Sequence, residues 1–503
     1  MEQDDFASGT SSRSSRLIHG GVRYLEHGQL QLVFESSRER RTLLRIAPHL
    51  VRPLTFTWPV YLGARVPRWQ LAAALTLYDA LALFRNVARH RRLSEAATLA
   101  SEPRLRADSL LGGARYYDAA TDDARLTLAT ALSAREGGAA LLTHARVERL
   151  LRAGDRVAGA IVHDRLGDAE VEVRAQVVVN ATGPWSDSVD RMSGAAPGMG
   201  MRGSKGVHVA VPRERIGNSD ALTLIAPQDG RVMFVLPAGD FAIIGTTDTF
   251  EDVDPREVRA TTGDVEYLLA AANHFFPAAQ LGASDVVSAW AGLRPLAAVA
   301  TDHANAGNAA DAGAASREHA IVETVPGLVT VTGGKLTTYR AMAAEVVDVV
   351  QDALGRRRSA ATTAAEALPG GHGSDVTRDI AAATGVTRDA AVATRLVHAH
   401  GTRWRTVWAL VAEDASLGAR VDASRPYLLA ELRYAVLHEM ACTLGDLLIR
   451  RVPMAFELRD QGRAAARIVA PRVAEWLGWD DRMLAAAVDD YDREVARIFT
   501  VDA

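Results

Sequence analysis

The spacing of hydrophobic residues predicts alternating helices and strands over most of the chain. Residues 126–135 repeat apolar side chains at helical spacing, whereas residues 156–164 and 176–180 are apolar runs typical of strands. The last run ends in the small or turn-forming residues Asn180–Gly183, and a helix is predicted to follow. Because the backbone can approach a flat ligand where such a strand ends, this junction predicts a nucleotide site in an α/β sheet.

Further along, short strands at close spacing are separated by turns at 229–230 and 238–240, which predicts an inserted antiparallel sheet. From about residue 374 the pattern is almost entirely helical, with no strand run, and predicts a helical C-terminal domain. The predicted divisions are a nucleotide-binding domain (1–200), a substrate-binding domain (201–324), a return to the first domain (325–358) and the helical domain (374–503).

Composition narrows the class of protein. The 503 residues are 48% hydrophobic and 23% charged, with a formal net charge of −4, so a nucleic-acid partner is not expected and any anion site must be a local cluster. The single cysteine, Cys442, excludes an internal disulfide, and no secretory signal is visible, so a cytoplasmic location is expected. No metal site is predicted.

One segment suggests contact with a membrane. Residues 71–84 are apolar but shorter than the roughly 18 residues that span a bilayer, and basic residues follow up to Arg92. Such a helix can lie at the surface of an anionic membrane. The alternative is a buried helix with a solvated basic end.

Two motif matches fail their context tests. The segment 198–203, "GMGMRG", fits the dinucleotide pattern, but no strand precedes it and no helix follows it. The segment "GGKL" at 333–336 lacks the spacing and the hydroxyl residue of a phosphate loop. It is better interpreted as a strand-to-helix turn whose helix N-terminus faces a negative charge.

A family resemblance is carried by segments in a fixed order. They are "DFASGTSSRSSRLIHGGVRYLEHG", "DDARLTLATALSA", "VVVNATGPW", "KGVHVAVP", "FAIIGTTDT", "GLRPL", "SREH", "TVTGGKLTTYR" and "TLGDLLIRRVPMAFELRDQGRAAARIV". The chain resembles the FAD-dependent, quinone-linked glycerol-3-phosphate dehydrogenases over nearly its whole length. The resemblance implies an α/β FAD-binding (Rossmann-like) domain, an inserted antiparallel-sheet substrate domain and an all-α C-terminal domain.

The resemblance also implies an activity and partners. The reaction is the oxidation of sn-glycerol 3-phosphate to dihydroxyacetone phosphate by hydride transfer to FAD, with electrons passed to the quinone pool. Alternatives are a flavin-dependent amine or amino-acid oxidase of the same fold and a flavin-free, inactive remnant. The acceptor, quinone or oxygen, and the oligomeric state, including a homodimer, stay open at this stage.

In this family "DFASGTSS" follows a βαβ unit with the glycine fingerprint, and by that alignment Glu2 occupies the ribose-binding position. Two explanations are a start codon assigned too far downstream and a true truncation, of which the first is expected.

Carried over by motif, the substrate and its phosphate are expected to contact Arg23, Tyr24, Thr246, Arg294 and Arg317. Guanidinium groups suit a phosphate because they offer planar paired donors and stay charged. The arginine Arg294 lies between apolar residues, so its charge needs a partner.

The expected catalytic residues are His208, Lys335 and Arg294. A near-neutral pKa would suit His208 to general-base chemistry, although a core histidine is the alternative. The expected cofactor-binding residues are Glu2, Ser11, Ser12, Gly20, Gly21, Gly183, Lys335, Leu336, Thr337 and Thr338. Where the family usually has lysine, this chain has Arg16, which leaves the role of that position open.

Overall fold

The computed structural model describes residues 1–26, 28–194, 201–251, 253–297 and 319–503. The strands in chain order are β1 (Leu17–Ile18), β2 (Val51–Tyr61), β3 (Arg91–Leu93), β4 (Leu110–Thr121), β5 (Ala145–Ala153), β6 (Arg156–Asp164), β7 (Ala169–Arg174), β8 (Val178–Asn180), β9 (Met201–Pro212), β10 (Ala221–Ile225), β11 (Val232–Ala238), β12 (Phe241–Gly245), β13 (Thr249–Phe250), β14 (Ala260–Thr261), β15 (Ser288–Ala297), β16 (His319–Val325), β17 (Leu328–Gly333) and β18 (Val501–Asp502).

The helices in chain order are α1 (Leu30–Ile46), α2 (Arg68–Leu81), α3 (Glu95–Ser101), α4 (Asp123–Glu136), α5 (Ser186–Met192), α6 (Arg213–Ile216), α7 (Thr262–Phe275), α8 (Tyr339–Ala353), α9 (Val376–Thr387), α10 (Ala390–His400), α11 (Trp404–Glu413), α12 (Leu429–His438), α13 (Met454–Glu457), α14 (Arg463–Leu477) and α15 (Asp481–Phe499).

A ten-stranded sheet dominates the described part of the chain. Its order is β1-β4-β2-β10-β11-β12-β9-β13, with β15 also paired to β9 and β3 to β4. Strand β10 runs parallel to β2, so the predicted antiparallel sheet is in fact mixed. Strands from before residue 200 join those from after it in one sheet, because β10 pairs with β2, which in turn pairs with β4 along most of its length. The predicted domain boundaries stay a prediction.

One face of this sheet packs against an apolar core, and the other faces the candidate site. On β9, Val207, Val209 and Val211 pack with Val265 and Leu268 of α7 in one apolar core. Because side chains alternate along a strand, His208 lies on the opposite face. That second face forms the floor of the candidate site.

A smaller sheet has the order β16-β17-β8, and β17 runs parallel to β8. Their carboxyl ends therefore lie at the same edge, which brings the residues after Asn180 and after Gly333 together. This is the predicted strand junction, and it is followed by a 3₁₀ turn and α5. A separate antiparallel meander contains β5, β6 and β7.

The predicted helical C-terminal domain is confirmed, with α9–α15 accounting for most of its residues and only the two-residue strand β18 at its end. Buried ion pairs hold it against the rest of the chain, among them the bidentate pair of Arg125 on α4 with Glu439 at 2.8 Å. Within the described ranges, no helix is both long enough and apolar enough to cross a bilayer.

Candidate active site

A cavity of about 90 Å³ lies on the second face of the large sheet. Aromatic side chains of Phe56, Trp58, Tyr116 and Phe234 line its floor. They come from three strands, β2, β4 and β11. The register of β2 and β4 places Phe56 opposite Tyr116, and the centroids of these two rings are 5.0 Å apart. The segment 15–24, Arg231 directly before β11 and Arg294 of β15 complete the wall. The site is thus assembled from parts far apart in sequence.

The guanidinium of Arg294 is held in one orientation. It donates to the Thr246 hydroxyl at 2.9 Å and to the Asp248 carboxylate at 3.2 Å. Its side chain lies across Gly206, where a Cβ atom would come within 2.3 Å of the Arg294 Nη2 atom. The partner that the apolar sequence context required is therefore Asp248, and Gly206 provides the space.

Two further guanidiniums line the same cavity, those of Arg23 and Arg231. The Arg231 Nη1 atom donates to the carbonyl of Asp248 at 2.6 Å, and Arg23 lies 5.9 Å from the centroid of the Tyr24 ring. Among the described lining residues, three guanidiniums thus share the cavity with two carboxylates, those of Asp118 and Asp248. An excess of positive charge with planar donors suits a dianionic phosphate.

The imidazole of His208 lies behind the cavity wall. It is 2% exposed, stacks on Trp290 with 5.6 Å between ring centroids, and its Nε2 atom is 2.8 Å from the Ser15 hydroxyl. The residue that lines the cavity is Ser15, not His208. Burial, followed by the positive charges of Arg294 and Arg16, lowers the pKa of His208 to about 3. The prediction of a near-neutral pKa was therefore wrong.

Two adjacent glycines, Gly20 and Gly21, lie at the rim of the cavity, and hydrogen bonds hold the first of them from behind. The Gly20 N–H donates to the Tyr78 hydroxyl at 2.8 Å and to Asp118 at 3.1 Å. A Cβ atom at Gly20 would come within 2.3 Å of the Tyr78 hydroxyl, so only glycine fits there without a shift. With Gly21 at a φ of 79°, the chain then turns into Arg23 and Tyr24, both of which line the cavity.

The end of β17 approaches the same rim. The Lys335 ammonium lies 3.5 Å from the centroid of the Tyr24 ring. The 3₁₀ turn Leu336–Thr338 follows and leads into α8, and the His19 N–H donates to the Thr337 hydroxyl at 3.2 Å. This places the free amides at the start of α8 beside the segment that lines the cavity.

The remaining predicted cofactor residues lie at the start of the chain and at the end of β8. In the 3₁₀ turn Thr10–Ser12, Ser11 is exposed and Ser12 is buried. The main chain of Glu2 pairs with residues 142–145, and burial raises the pKa of its carboxyl. Around Gly183, with a φ of 58°, a Cβ atom would meet no other atom within 4 Å.

One feature at this end tests the fit of a phosphate-bearing cofactor. Arg13 is 5% exposed, and its Nε atom has no hydrogen-bond partner in the part of the chain that the structure describes. It lines a small second cavity together with Arg256, Arg497 and Trp185. Burial and the charge of Arg497 lower the pKa of Arg13 to about 10, while the carboxylates of Glu494 and Asp4 act in the opposite direction. The lining holds three guanidiniums and one carboxylate, that of Asp4, so it fits an anionic group such as the pyrophosphate of FAD.

Of the predicted site residues, Arg23, Tyr24, Thr246 and Arg294 share the large cavity, while Arg317 lies outside the described residues. Sequence reasoning missed the cavity-lining residues Ser15, His19, Asp118, Arg231 and Asp248. Ser15 and His19 stood in a motif already singled out, whereas Arg231 follows a turn and resembled an ordinary surface residue.

Comparisons with known proteins agree with this architecture. The profile of the family "FAD dependent oxidoreductase" matches residues 1–348, and that of the "C-terminal domain of alpha-glycerophosphate oxidase" matches residues 361–483. Glycerol-3-phosphate dehydrogenase of Mycobacterium leprae is 40% identical, over 99% of this chain and 82% of the relative. The human mitochondrial glycerol-3-phosphate dehydrogenase is 35% identical, over 96% of this chain and 67% of the relative.

Solved structures show the same similarity. Glycerol-3-phosphate dehydrogenase from Bacillus halodurans, complexed with FAD, has a TM-score of 0.79 and 32% identity, over 99% of this chain and 89% of that one. The L-alpha-glycerophosphate oxidase of Mycoplasma pneumoniae, with FAD bound, has a TM-score of 0.55 at 17% identity, which shows a shared fold. The predicted fold class is confirmed.

Proposed function

The chain belongs to the family of FAD-dependent glycerol-3-phosphate dehydrogenases, and we propose that it oxidises sn-glycerol 3-phosphate to dihydroxyacetone phosphate with a quinone as the final acceptor. The observation that carries the proposal is the cavity in which Arg23, Arg231 and Arg294 converge beside the Ser15–His208 pair. When bound, FAD supplies a two-electron acceptor for the hydride that leaves C2 of the substrate.

The phosphate of the substrate binds at the cationic end of the cavity. Because Thr246 and Asp248 already orient the Arg294 guanidinium, little side-chain freedom is lost when the phosphate arrives. Asp248 also offsets part of the positive charge of Arg294. An uncharged analogue such as glycerol gains none of these contacts.

The proton of the C2 hydroxyl leaves through Ser15. The Ser15 hydroxyl faces the cavity and can pass a proton to the His208 Nε2 atom behind it, 2.8 Å away. In the empty site the charge of Arg294 helps to keep His208 neutral and therefore ready to accept. A bound phosphate offsets that charge, which raises the proton affinity of His208 when the substrate is present.

Lys335 and the turn Leu336–Thr338 stabilise the negative charge that reduction places on the cofactor. The ammonium and the first free amides of α8 form a positive end beside the cavity. Glu2, Ser11, Ser12, Gly20, Gly21 and Gly183 remain proposed cofactor contacts.

The first test is a visible absorbance spectrum of the desalted 503-residue chain with FAD, before and after an anaerobic addition of substrate. Glycerol 3-phosphate is expected to bleach the flavin band and glycerol to bleach it far more slowly, while glycine and sarcosine at the same concentration leave it unchanged. Bleaching by glycine or sarcosine would identify an amine oxidase instead. No bleaching by any of the four would refute both activities for this chain.

A surface around α2 supports the proposed quinone acceptor, since a quinone resides in a membrane. We define the α2 surface as the exposed apolar residues Leu62, Trp69, Leu77, Leu83, Phe84 and Val87 with the exposed arginines Arg68, Arg85, Arg89, Arg91 and Arg92. Trp69 is 73% exposed, which is unusual for a residue of its size. Apolar side chains surrounded by basic ones suit the surface of an anionic membrane.

Both parts of this proposal have a direct test. The chain is expected to co-sediment with vesicles containing anionic lipid, and R85E/R89E/R92E is expected to release it. The matched control R356E/R357E, which reverses two exposed arginines elsewhere, should still bind. Equal co-sedimentation of both variants would contradict docking through this surface. Oxygen uptake that matches substrate turnover, with no reduction of a soluble quinone analogue, would contradict the quinone.

A further inference from the structure

A buried ionic cluster joins the start of the chain to the helical C-terminal domain. Asp5 is fully buried, and its Oδ2 atom lies 2.7 Å from the Arg450 Nε atom and 2.5 Å from the Arg451 Nη1 atom. The Asp5 Oδ1 atom accepts from the Arg451 Nη2 atom at 2.9 Å. One carboxylate is therefore held by two neighbouring guanidiniums, an arrangement that we name the Asp5 clamp.

The two arginines are themselves fixed from the C-terminal side. Arg450 donates to Asp446 at 2.8 Å and to Glu494 on α15 at 2.7 Å. Arg451 donates to the carbonyl of Glu439 at 2.8 Å. Both arginines belong to the π-helical turn Asp446–Arg451, a rare backbone form that is frequent at functional sites.

Such a cluster is better suited to positioning than to stability. Removing several charges from water costs much of what their attraction returns, so a packed apolar cluster would stabilise the fold as well or better. Paired guanidinium hydrogen bonds, in contrast, fix direction and distance. The clamp therefore positions a part of the chain, and its contacts show which part.

That part is the turn beside the proposed cofactor site. The Ser8 N–H donates to the Asp5 carbonyl at 3.1 Å, and the Arg13 Nη2 atom donates to the Ser8 carbonyl at 3.2 Å. The Thr10 hydroxyl then donates to the carbonyl of Leu293, the residue before Arg294, at 2.7 Å. A fixed Asp5 therefore fixes the turn that carries Arg13 and leads to the substrate cavity.

We propose that Arg450 and Arg451 are positioning residues through which the C-terminal domain holds residues 5–13 in the conformation that binds the cofactor. The inference rests on the proposed function for the identity of the cofactor. By this inference the helical domain supports the flavin site by positioning residues 5–13, not by contributing catalytic groups.

The test compares two arginines that both join the helical domain to the rest of the chain. Arg451→Lys keeps the charge but cannot hold both oxygens of Asp5. The control Arg425→Lys makes the same change at a guanidinium that donates to Asp240 at 3.1 Å, and so joins the helical domain to the turn before β12 rather than to residues 5–13. For R451K we expect faster hydrogen–deuterium exchange at residues 6–13 and FAD binding that is roughly 10- to 100-fold weaker. For R425K both readouts should match those of the unaltered chain, although thermal stability falls.

Either of two results would overturn the clamp: unchanged exchange and FAD affinity in R451K, or equal changes in R425K. If R451K does not fold, Asp5→Glu, which keeps the charge but displaces the carboxylate, replaces it in the same comparison. Bleaching by glycerol 3-phosphate tests the proposed function separately. A chain that holds FAD but is not bleached would contradict the function and leave the clamp comparison valid, and for a chain without FAD the exchange data alone decide.

Discussion

Replacement of Arg294 by methionine measures how much the oriented guanidinium contributes to catalysis and by which contact. A guanidinium that binds a phosphate makes two charge-assisted hydrogen bonds, each contributing about 1.5 to 3 kcal/mol. Loss of both corresponds to about 3 to 6 kcal/mol, or roughly 10² to 10⁴ in kcat/KM for glycerol 3-phosphate. The buried Asp248 also loses its guanidinium partner, although it keeps the Ser204 hydroxyl, and this lowers the free energy of unfolding by about 1 to 3 kcal/mol.

The assay compares two substrates on the same variant. If Arg294 binds the phosphate, the replacement should lower kcat/KM for glycerol 3-phosphate by the roughly 10² to 10⁴ given above. It should change kcat/KM for glycerol, which has no phosphate, by less than about 10-fold. The kcat/KM of Arg294→Lys for glycerol 3-phosphate should lie between those of the unaltered chain and Arg294→Met, because lysine keeps the charge without the paired donors. The control Arg115→Met removes a partly buried guanidinium that pairs with Asp220 and does not line the cavity. Equal losses for both substrates would refute phosphate binding by Arg294 and place it at the reacting carbon.

Three further predictions follow from buried groups. With its pKa lowered to about 3, His208 stays neutral above about pH 5, so an inflection of kcat/KM between about pH 6 and 7 should come only from the second ionisation of the substrate phosphate and should persist in His208→Asn. Since the neutral imidazole is the acceptor, a further fall is expected only as the pH approaches that low pKa, and a wild-type inflection near 6.5 that His208→Asn removes would contradict this. Gly20→Ala, which forces a Cβ against the Tyr78 hydroxyl, should lower stability by about 1 to 3 kcal/mol and raise KM for glycerol 3-phosphate; Gly385→Ala, on the exposed side of α9 where a Cβ meets open space, should leave KM unchanged in the same assays. Burial raises the pKa of the Cys442 thiol to about 11, so labelling by a thiol reagent at about pH 8 should be roughly 100-fold slower in the folded than in the unfolded chain, and equal rates would exclude such burial.

The sequence located features whose signal is local. The strand end at Asn180–Gly183, the turn before α8 and the helical C-terminal domain each follow from a pattern within a few dozen residues. Arg294 was identified through the family motif, and its position within an apolar run indicated that its charge needs a partner, but the identity of that partner, Asp248, depends on the pairing of β15 with β9.

What the sequence did not reveal depends on contacts between distant segments. The mixed sheet arises from the parallel pairing of β2 with β10, which no local pattern encodes. The low pKa of His208 arises from its position behind Ser15 and near Arg294, residues that are far from it in sequence. Arg231 resembled a turn residue because nothing nearby indicated that its side chain reaches the cavity.

The Asp5 clamp also sets the order of events during synthesis. Asp5 and Arg450 are 445 residues apart, and a ribosome adds about 5 to 20 residues per second. Roughly 20 to 90 s therefore pass between the synthesis of Asp5 and that of its partner Arg450. Thr10 likewise waits for Leu293 to be made. Residues 5–13 are therefore made long before they can settle, and the nascent chain exposes this segment without these partners until the helical domain has been made. Expression at lower temperature or with additional chaperones should consequently increase the yield of folded protein more than any change near its C-terminus.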